Sequence, residues 1–321
     1  MLRVSRAFGI TIETMPAMRL NPALSVATLA VLAVLSLPGF PGDTSLNSSL
    51  QREVTHSMAT QHGSFVVVDV VSRTILAAHG MDIARRLEAP GSTLKPFLLM
   101  ALLESGELDA SQRLICRRTL RIKGAELDCT HPAQVKELDA ADAIAYSCNS
   151  YFAQVVLRLQ MHELVGILRR AGFDSPTGLA ESEAVGKIHP PRNEEELQLE
   201  ALGVRGIEVT PLEVLEAYRK LALRKRSGEI GLDGSVFDGL ENSVAFGMAH
   251  ASYVSGMRIA GKTGTSVSYN TRHTHGFFAG YAPADMPEIA VVVYLENGRG
   301  TDAAAVAQPV LEAFSRLRAV P

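Results

Sequence analysis

The sequence predicts a mixed α/β fold of the α+β type, with one sheet built from both ends of the chain and a helical subdomain inserted between its strands. Strand-like runs occur early and late in the folded part, and amphipathic helical patterns fill the interval. A cleft between two such parts is a common place for an active site. We therefore expect reactive residues where the sheet and the helices meet.

Five short segments carry the strand pattern. The first two form a hairpin, because a β-branched run is followed by a turn and a returning apolar run. The last three precede a helix near the end of the sequence. In order, the strands are expected at 65–70, 74–78, 257–264, 276–281 and 289–295, and the final helix at 303–317.

The region between these strands is predicted to be mainly helical. Thr93–Glu104 is an apolar run whose first turn tolerates Pro96 and whose end is followed by Gly106. From Leu138 to about residue 251, apolar residues recur at the i, i+3, i+4 spacing of helices. The helical subdomain is expected to span about residues 97–255.

The N-terminal part is expected to direct export. Three arginines precede an apolar run at 23–37, which ends in a cluster of Pro and Gly. This run is shorter than the ~20 residues that a spanning helix prefers, which favours a signal peptide and leaves an uncleaved membrane anchor open. We assign 1–40 to this signal or anchor, 41–62 to a polar linker and 63–321 to a catalytic domain in the cell envelope, on the periplasmic side of the cytoplasmic membrane.

Composition limits the classes of partner. Of the 321 residues, 47% are hydrophobic, which is enough for a sizeable core, and the net charge is only −3. No basic stripe indicates nucleic acid as a partner. In an exported chain, an oxidising compartment favours a Cys116–Cys129 disulfide with Cys148 left over as a buried packing residue, and three free thiols remain the alternative.

The first candidate for chemistry is a serine and a lysine three residues apart. Ser92 and Lys95 lie at the start of the apolar helix, so their side chains share one face near its electropositive end. A neutral amine there can take the hydroxyl proton, which requires that burial or a nearby cation lowers the pKa of Lys95. An isolated pair of this kind is more often a helix cap beside a solvated lysine.

Two further motifs follow along the chain. Ser147-Cys148-Asn149 falls between helical runs, and Lys262-Thr263-Gly264-Thr265 ends a strand-like run. S-x-x-K, S-D-N and K-T-G in this order are the signature of class A β-lactamases and penicillin-binding proteins, and the middle motif here carries cysteine at its centre. Because i and i+2 do not share a helix face, Ser147 and Asn149 are expected on a connection between helices.

On these motifs, the chain from about Gly63 onward resembles a penicillin-binding protein transpeptidase domain of the serine β-lactamase and DD-peptidase superfamily. The stretches VTPL at 209–212 and FAGYAP at 278–283 resemble the family too. The resemblance implies a five-stranded antiparallel sheet with covering helices and an all-helical subdomain. It also implies the following roles: Ser92 as nucleophile, Lys95 as its base, Ser147 as proton relay to the leaving amine, Asn149 as a holder of Lys95 and the substrate amide, Lys262 as electropositive support, Thr263, Gly264 and Thr265 as the substrate-binding motif, and the N–H groups of Ser92 and Thr265 as oxyanion hole.

The resemblance further implies a DD-transpeptidase that acts on D-Ala-D-Ala-terminated peptidoglycan stem peptides, binds β-lactams covalently, needs no cofactor and works beside other cell-wall synthesis proteins. A D-alanyl-D-alanine carboxypeptidase and a β-lactamase are the alternatives within the superfamily. A class A hydrolase needs a glutamate that activates water. Glu194, Glu195 and Glu196 lie in the right interval, but they do not continue as E-x-x-L-N.

A nucleotide-binding protein is the alternative from another class, since residues 256–263 satisfy G-x-x-x-x-G-K-[ST]. That loop requires a helix after the lysine, whereas a strand and a polar loop are predicted here, which disfavours it. His131, His273 and His275 show no metal-ligand spacing, so we expect solvated loop histidines and no metal site.

Overall fold

The computed structural model describes residues 44–268 and 273–319. Its strands, in chain order, are β1 (Gly63–Asp69), β2 (Ile75–His79), β3 (Leu114–Ile115), β4 (Arg121–Ile122), β5 (Ala125–Glu126), β6 (Glu137–Leu138), β7 (Lys187–Ile188), β8 (Ile207–Glu208), β9 (Ala260–Val267), β10 (Thr274–Ala282) and β11 (Ile289–Leu295). Its helices are α1 (Thr44–Ser57), α2 (Met81–Ala84), α3 (Lys95–Glu104), α4 (Ala140–Ala145), α5 (Asn149–Val155), α6 (Met161–Ala171), α7 (Glu194–Ala201), α8 (Pro211–Ser227), α9 (Gly234–Ala245) and α10 (Gly300–Arg318), with 3₁₀ turns at Gly91–Leu94, Val156–Arg158 and His250–Ser252.

The five long strands form one antiparallel sheet in the order β2-β1-β11-β10-β9. The two ends of the folded chain meet where β1 pairs with β11 and Val66 lies opposite Val292. The shorter strands pair as two-residue ladders outside this sheet. The predicted fold class, a sheet of five antiparallel strands drawn from both chain ends, is confirmed, and β11 occupies the predicted residues.

Both faces of the sheet are buried, because side chains on a strand alternate between its two faces. On one face, Val66 and Val292 belong to the core that the helical region covers. On the other face, Val67 and Val293 pack in a second core under α1 and α10. The sheet is therefore the middle layer, and β9 at its edge borders the helical region through α9.

A helix occupies most of the segment that was expected to be a linker. We expected residues 41–62 to be a polar connection, but Thr44–Ser57 form α1. Leu50, Val54 and Met58 are fully buried against the sheet and α10. They follow one another at i, i+4 and i+8, so they form a single narrow apolar stripe on an otherwise polar helix. The linker prediction was wrong there, because so narrow a stripe gives little periodic signal.

Two boundaries near the candidate site also differ from expectation. The strand predicted at 257–264 is β9, which starts at Ala260 rather than Met257 and continues to Val267. The apolar helix begins with a 3₁₀ turn at Gly91–Leu94, and α3 proper starts at Lys95. The segment 1–40, predicted as signal or anchor, lies outside the described residues. Among the described residues, no helix has the length and apolar character needed to cross a membrane.

Candidate active site

The serine of the first motif lies on a tight turn. Ser92 is the second residue of the 3₁₀ turn, and Lys95 follows one turn later as the first residue of α3. Side chains at i and i+3 eclipse one another in 3₁₀ geometry, so both side chains project from the same side of the chain. The Tyr218 hydroxyl donates a hydrogen bond to the Thr93 carbonyl at 3.0 Å, which ties this turn to α8.

Lys95 is fully buried and reaches the second motif. Its Nζ donates to Asn149 Oδ1 at 2.6 Å and to the Ser147 carbonyl at 2.9 Å, and it lies 3.4 Å from Ser147 Oγ. Burial lowers the pKa of Lys95 to about 8, while the sulfurs of Cys148 and Cys129 act in the opposite direction. Close to one tenth of the amine is thus neutral at pH 7, by the usual titration relation. The lowered pKa meets the first requirement for a base.

Ser147 lies on a connection between helices as expected, whereas Asn149 already belongs to the next helix. Ser147 and Cys148 connect α4 to α5, and Asn149 is the first residue of α5. Ser147 has a φ of 52°, in the left-handed region that costs a non-glycine residue free energy and is common at functional sites. The Asn149 amide donates to the Leu127 carbonyl at 3.0 Å, which leaves its Oδ1 directed at Lys95.

Lys262 approaches the same serine from the sheet. It is fully buried in β9, and its Nζ lies 2.7 Å from Ser147 Oγ and 3.0 Å from the Thr263 carbonyl. Burial, and after it the charge of Lys95, holds the pKa of Lys262 well below its usual value. Two buried amines therefore flank one hydroxyl, that of Ser147.

Glycines let the serine turn lie directly on the edge strand. A Cβ at Gly264 would lie 2.6 Å from the Pro90 carbonyl oxygen, and one at Gly91 would lie 2.8 Å from the Thr265 nitrogen. Real Cβ atoms essentially never come within 3.0 Å of such atoms. The first and third motifs are thus in backbone contact, which brings the chain at Ser92 and the chain at Thr265 to one place.

The three motifs open onto one cleft of about 730 Å³ between the sheet and the helical region. Ser92, Ser147, Asn149, Thr263 and Thr265 all line it. The cleft wall also contains residues that the sequence analysis did not single out, which are Ala125, Glu126, Leu127, Asp128, Thr130, Val204, Arg205, Met248, Ser266, Val267, Thr274, Arg299 and Thr301.

Arg299 is the most informative of the missed residues. It precedes Gly300, whose backbone N–H donates to Thr265 Oγ1 at 2.9 Å and whose Cβ, if present, would lie 2.7 Å from Thr263 Cβ. The start of α10 therefore touches the third motif. The signal in the sequence was the Gly298-Arg299-Gly300 turn, which lies between the last strand and the final helix.

The glutamates considered for a hydrolase lie away from this cleft wall. Glu194, Glu195 and Glu196 form the first turn of α7. Glu196 makes ion pairs with Arg192 and Lys123, both at 2.9 Å, and the bonds to Arg192 first lower its pKa to about 2. Among the described residues, the carboxylates that line the cleft are instead Glu126 and Asp128.

The nucleotide-loop alternative is contradicted by the geometry. Gly256 lies before the edge strand, and Lys262 lies inside β9, which runs on to Val267. A phosphate loop needs a helix that opens after the lysine, with its N–H groups free for phosphate. Here the backbone of the lysine strand is paired with β10 instead.

The structure has all three cysteines free and buried, which is the alternative left open beside a Cys116–Cys129 disulfide, and Cys148 is buried as expected. The sulfur of Cys148 also lies near the predicted pair, since Cys129 Sγ is 3.7 Å from Cys148 Sγ. His131 and His275, expected as solvated loop residues, are only 1% and 0% exposed, because a loop folds His131 inward and His275 lies within β10.

Comparison with known proteins agrees with this geometry. The family model described as penicillin binding protein transpeptidase domain matches residues 63–316. The peptidoglycan D,D-transpeptidase PbpA of Mycobacterium tuberculosis is 26% identical, over 91% of this chain and 66% of that protein. The peptidoglycan D,D-transpeptidase MrdA of Haemophilus influenzae is 23% identical, over 85% of this chain and 56% of that protein.

Solved structures show the same fold. Pseudomonas aeruginosa PBP2, in complex with WCK 5153, superposes with a TM-score of 0.71 at 22% identity, covering 83% of this chain and 74% of that one. The apo transpeptidase domain of Burkholderia pseudomallei penicillin-binding protein 3 gives a TM-score of 0.76 at 18% identity, covering 88% and 98%. The chain spans about two thirds or less of the length of these curated relatives.

Proposed function

Since this chain belongs to the penicillin-binding protein transpeptidase family, we propose that it is a DD-transpeptidase that acylates Ser92 with D-Ala-D-Ala-terminated peptidoglycan stem peptides. The observation that carries the proposal is the contact of one buried amine, Lys95, with both Ser147 and Asn149 beside the Ser92 turn. The relatives named above as peptidoglycan D,D-transpeptidases support the choice of substrate.

Acylation needs a base and a proton path. Neutral Lys95 takes the proton of the Ser92 hydroxyl, and Ser92 Oγ attacks the carbonyl carbon of the penultimate D-Ala. The peptide C–N bond then breaks, and the departing D-Ala amine receives a proton through Ser147. The Ser147 hydroxyl suits this relay because it lies 2.7 Å from Lys262 Nζ and 3.4 Å from Lys95 Nζ.

Two groups of donors serve the anionic parts of the reaction. The backbone N–H groups of Ser92 and Thr265 stabilise the oxyanion, as preorganised donors do in acyl transfer. The hydroxyls of Thr263 and Thr265 and the amine of Lys262 bind the substrate carboxylate. That carboxylate also offsets the desolvation of Lys262, so binding favours its charged form. Arg299 adds positive charge to the cleft wall.

The β-lactamase alternative is disfavoured. Rapid hydrolysis of the ester needs a carboxylate that activates water, and Glu196 is held by Arg192 and Lys123 instead. If that contribution is about 3–4 kcal/mol, deacylation of a penicilloyl ester is roughly two to three orders of magnitude slower than in a hydrolase. The carboxypeptidase alternative differs only in the acceptor, which is water rather than an amine.

We place the domain in the cell envelope, exported by or anchored through the N-terminal segment, with its catalytic part on the periplasmic side. Peptidoglycan stem peptides and β-lactams are its proposed ligands, and other cell-wall synthesis proteins its proposed partners.

Intact-mass spectrometry with a penicillin tests the assignment. The strained lactam resembles an acyl-D-Ala-D-Ala terminus, so the wild-type protein should gain the mass of one penicilloyl group and keep it through prolonged incubation. Ser92→Ala should gain none, whereas Ser105→Ala, at an exposed serine after the same helix, should label like the wild type. A folded Ser92→Ala protein that labels normally would refute Ser92 as nucleophile. Rapid loss of the adduct with turnover of excess penicillin would identify a hydrolase.

A further inference from the structure

Four side chains of metal-ligating type meet beside Ser147 and Cys148, which connect α4 to α5 and are called the catalytic connection below. They are Cys116, Cys129, His131 and Cys148, and all four are buried. Their sulfur and ring nitrogen atoms all lie within 4.8 Å of one another. Neither the family comparison nor the proposed reaction assigns them a role. The four come from three separate stretches of chain, so their convergence is a property of the tertiary fold.

The spacing of the sulfurs fits coordination rather than a covalent bond. Cys129 Sγ lies 3.7 Å from Cys148 Sγ. A disulfide would bring two sulfurs to about 2.0 Å. Two thiolates on one tetrahedral Zn²⁺, each with a Zn–S bond of about 2.3 Å, are separated by about 3.8 Å. The observed separation is therefore that of two corners of a zinc tetrahedron.

The histidine is oriented as a ligand. His131 Nδ1 lies 3.2 Å from the Pro132 carbonyl oxygen, so this nitrogen carries the ring proton and donates it. The other ring nitrogen, Nε2, then presents a lone pair, and it is buried without a hydrogen-bond partner. A buried polar atom of this kind is costly unless something satisfies it. Metal-bound histidines commonly donate their second ring N–H to a carbonyl in this way.

The backbone around the three sulfurs supplies hydrogen-bond donors. Each accepts a hydrogen bond from a backbone N–H: Arg118 to Cys116 at 3.3 Å, Ser150 to Cys129 at 3.4 Å and Tyr151 to Cys148 at 3.4 Å. Such bonds stabilise thiolates and are a common outer layer of metal–sulfur sites. The loop carrying two ligands is itself fixed by Arg118, whose guanidinium donates to the carbonyls of Cys129 and His131.

We propose that Cys116, Cys129, His131 and Cys148 bind one Zn²⁺ in a closed, tetrahedral, structural site. On binding, the three thiols lose three protons to solvent and the neutral imidazole loses none, so the Zn²⁺, three thiolates and one histidine carry a net charge of −1. Three sulfurs and one imidazole in tetrahedral array suit Zn²⁺ better than the oxygen-preferring Mg²⁺ or Ca²⁺. The four protein ligands complete the shell and leave no position for substrate.

The metal would position the catalytic connection. Cys148 lies between Ser147 and Asn149, and Cys129 lines the cleft. The only regular structure in the segment 105–138 is the set of two-residue strands β3 to β6. Few backbone hydrogen bonds between strands therefore fix this segment in place. A Zn²⁺ bound to both parts fixes that segment against α5 and helps to keep Ser147 in its left-handed conformation. Cys148 is thus a positioning residue rather than a catalytic one.

Metal analysis of the purified full chain tests the proposal directly. Wild-type protein should contain about one Zn²⁺ per chain, measured by mass spectrometry of the elements. His131→Ala and Cys116→Ser should bind Zn²⁺ at least about tenfold more weakly, whereas His131→Cys keeps four ligands and should retain the metal. His162→Ala, at an exposed histidine of α6, is the matched control and should match the wild type.

A second measurement covers variants that fail to fold. Chelation of zinc from the wild type should make all three thiols reactive to a thiol reagent, lower the melting temperature and slow penicillin acylation, and added Zn²⁺ should reverse each change. Loss of acylation with normal zinc content would count against the proposed function and not against this site. A wild-type protein that holds a disulfide among these cysteines, or that has three free thiols and takes up no Zn²⁺, would overturn the proposal.

Discussion

The contact between the serine turn and the edge strand should be intolerant of a single methyl group. In Gly264→Ala the new Cβ would lie 2.6 Å from the Pro90 carbonyl oxygen and 2.8 Å from Thr93 Cγ2. Ordinary van der Waals contact starts at 3.4 Å. Neither the backbone at Pro90 nor the buried side chain of Thr93 can shift freely in a close-packed interior. The whole serine turn must therefore move away from β9 by about 0.8 Å. That movement separates the N–H groups of Ser92 and Thr265 that would stabilise the oxyanion.

The expected magnitude follows from this displacement. A shift near 1 Å at a reacting centre costs roughly a hundredfold in rate, and overpacking costs about 1–3 kcal/mol of stability. The assay is the second-order rate constant of penicillin acylation by intact-mass spectrometry, with the free energy of unfolding from urea titration. Gly166→Ala is the control, because this helical glycine would meet only the flexible end of Arg170 at 3.3 Å. It should leave acylation unchanged.

A folded Gly264→Ala protein with the wild-type acylation rate would refute the reasoning. It would mean that the turn carrying Ser92 and the strand carrying Thr265 need not touch for the reaction. A loss of stability without a loss of rate would lead to the same conclusion. A loss of rate in Gly166→Ala of similar size would show that the assay reports general damage rather than this contact.

Two further predictions concern the base and the first helix. Burial lowers the pKa of Lys95 to about 8 and the base must be neutral, so the acylation rate should rise roughly tenfold from pH 7 to pH 9 in stopped-time mass spectra. Leu50→Ala, at a fully buried position of α1, should reduce the free energy of unfolding in urea by about 2–5 kcal/mol, since it leaves a cavity under the sheet. Ser49→Ala, on the same helix and not in the core, should change it little.

Each of these has a clear contrary result. A flat rate between pH 7 and pH 9, with circular dichroism showing an unchanged fold, would mean that Lys95 does not supply the neutral base. Equal stability of Leu50→Ala and Ser49→Ala would mean that α1 is not part of the folded domain, as the linker prediction had it.

The local sequence pattern was sufficient to predict an element where that segment interacts mainly with itself or with a continuous hydrophobic core. β11 was predicted at its observed residues because a run of seven buried residues has a strong signal regardless of its neighbours. Helix geometry alone predicted that Ser147 and Asn149 do not share one helix, and the structure has Ser147 on the connection and Asn149 as the first residue of α5. The three motifs identified the candidate site because their residue types and order carry the chemistry, and the family comparison agrees with the resemblance they indicated.

Only the tertiary structure decided what depends on contacts between distant segments. α1 is held by one apolar stripe against the sheet, so its own sequence resembles a polar linker. The glycine contacts of Gly91 and Gly264 exist only because two elements far apart in sequence meet backbone to backbone.

The cysteine cluster gives the same lesson most sharply. The sequence showed two cysteines around a short loop, and from it we predicted a disulfide and no metal site. The fold places Cys148 beside these two cysteines and turns His131 inward, so the pair seen in the sequence becomes a cluster of four side chains that could act as ligands. Residue spacing along the chain cannot show which of these side chains meet. They lie on loops without regular structure, and each loop is held in place by contacts with other parts of the fold.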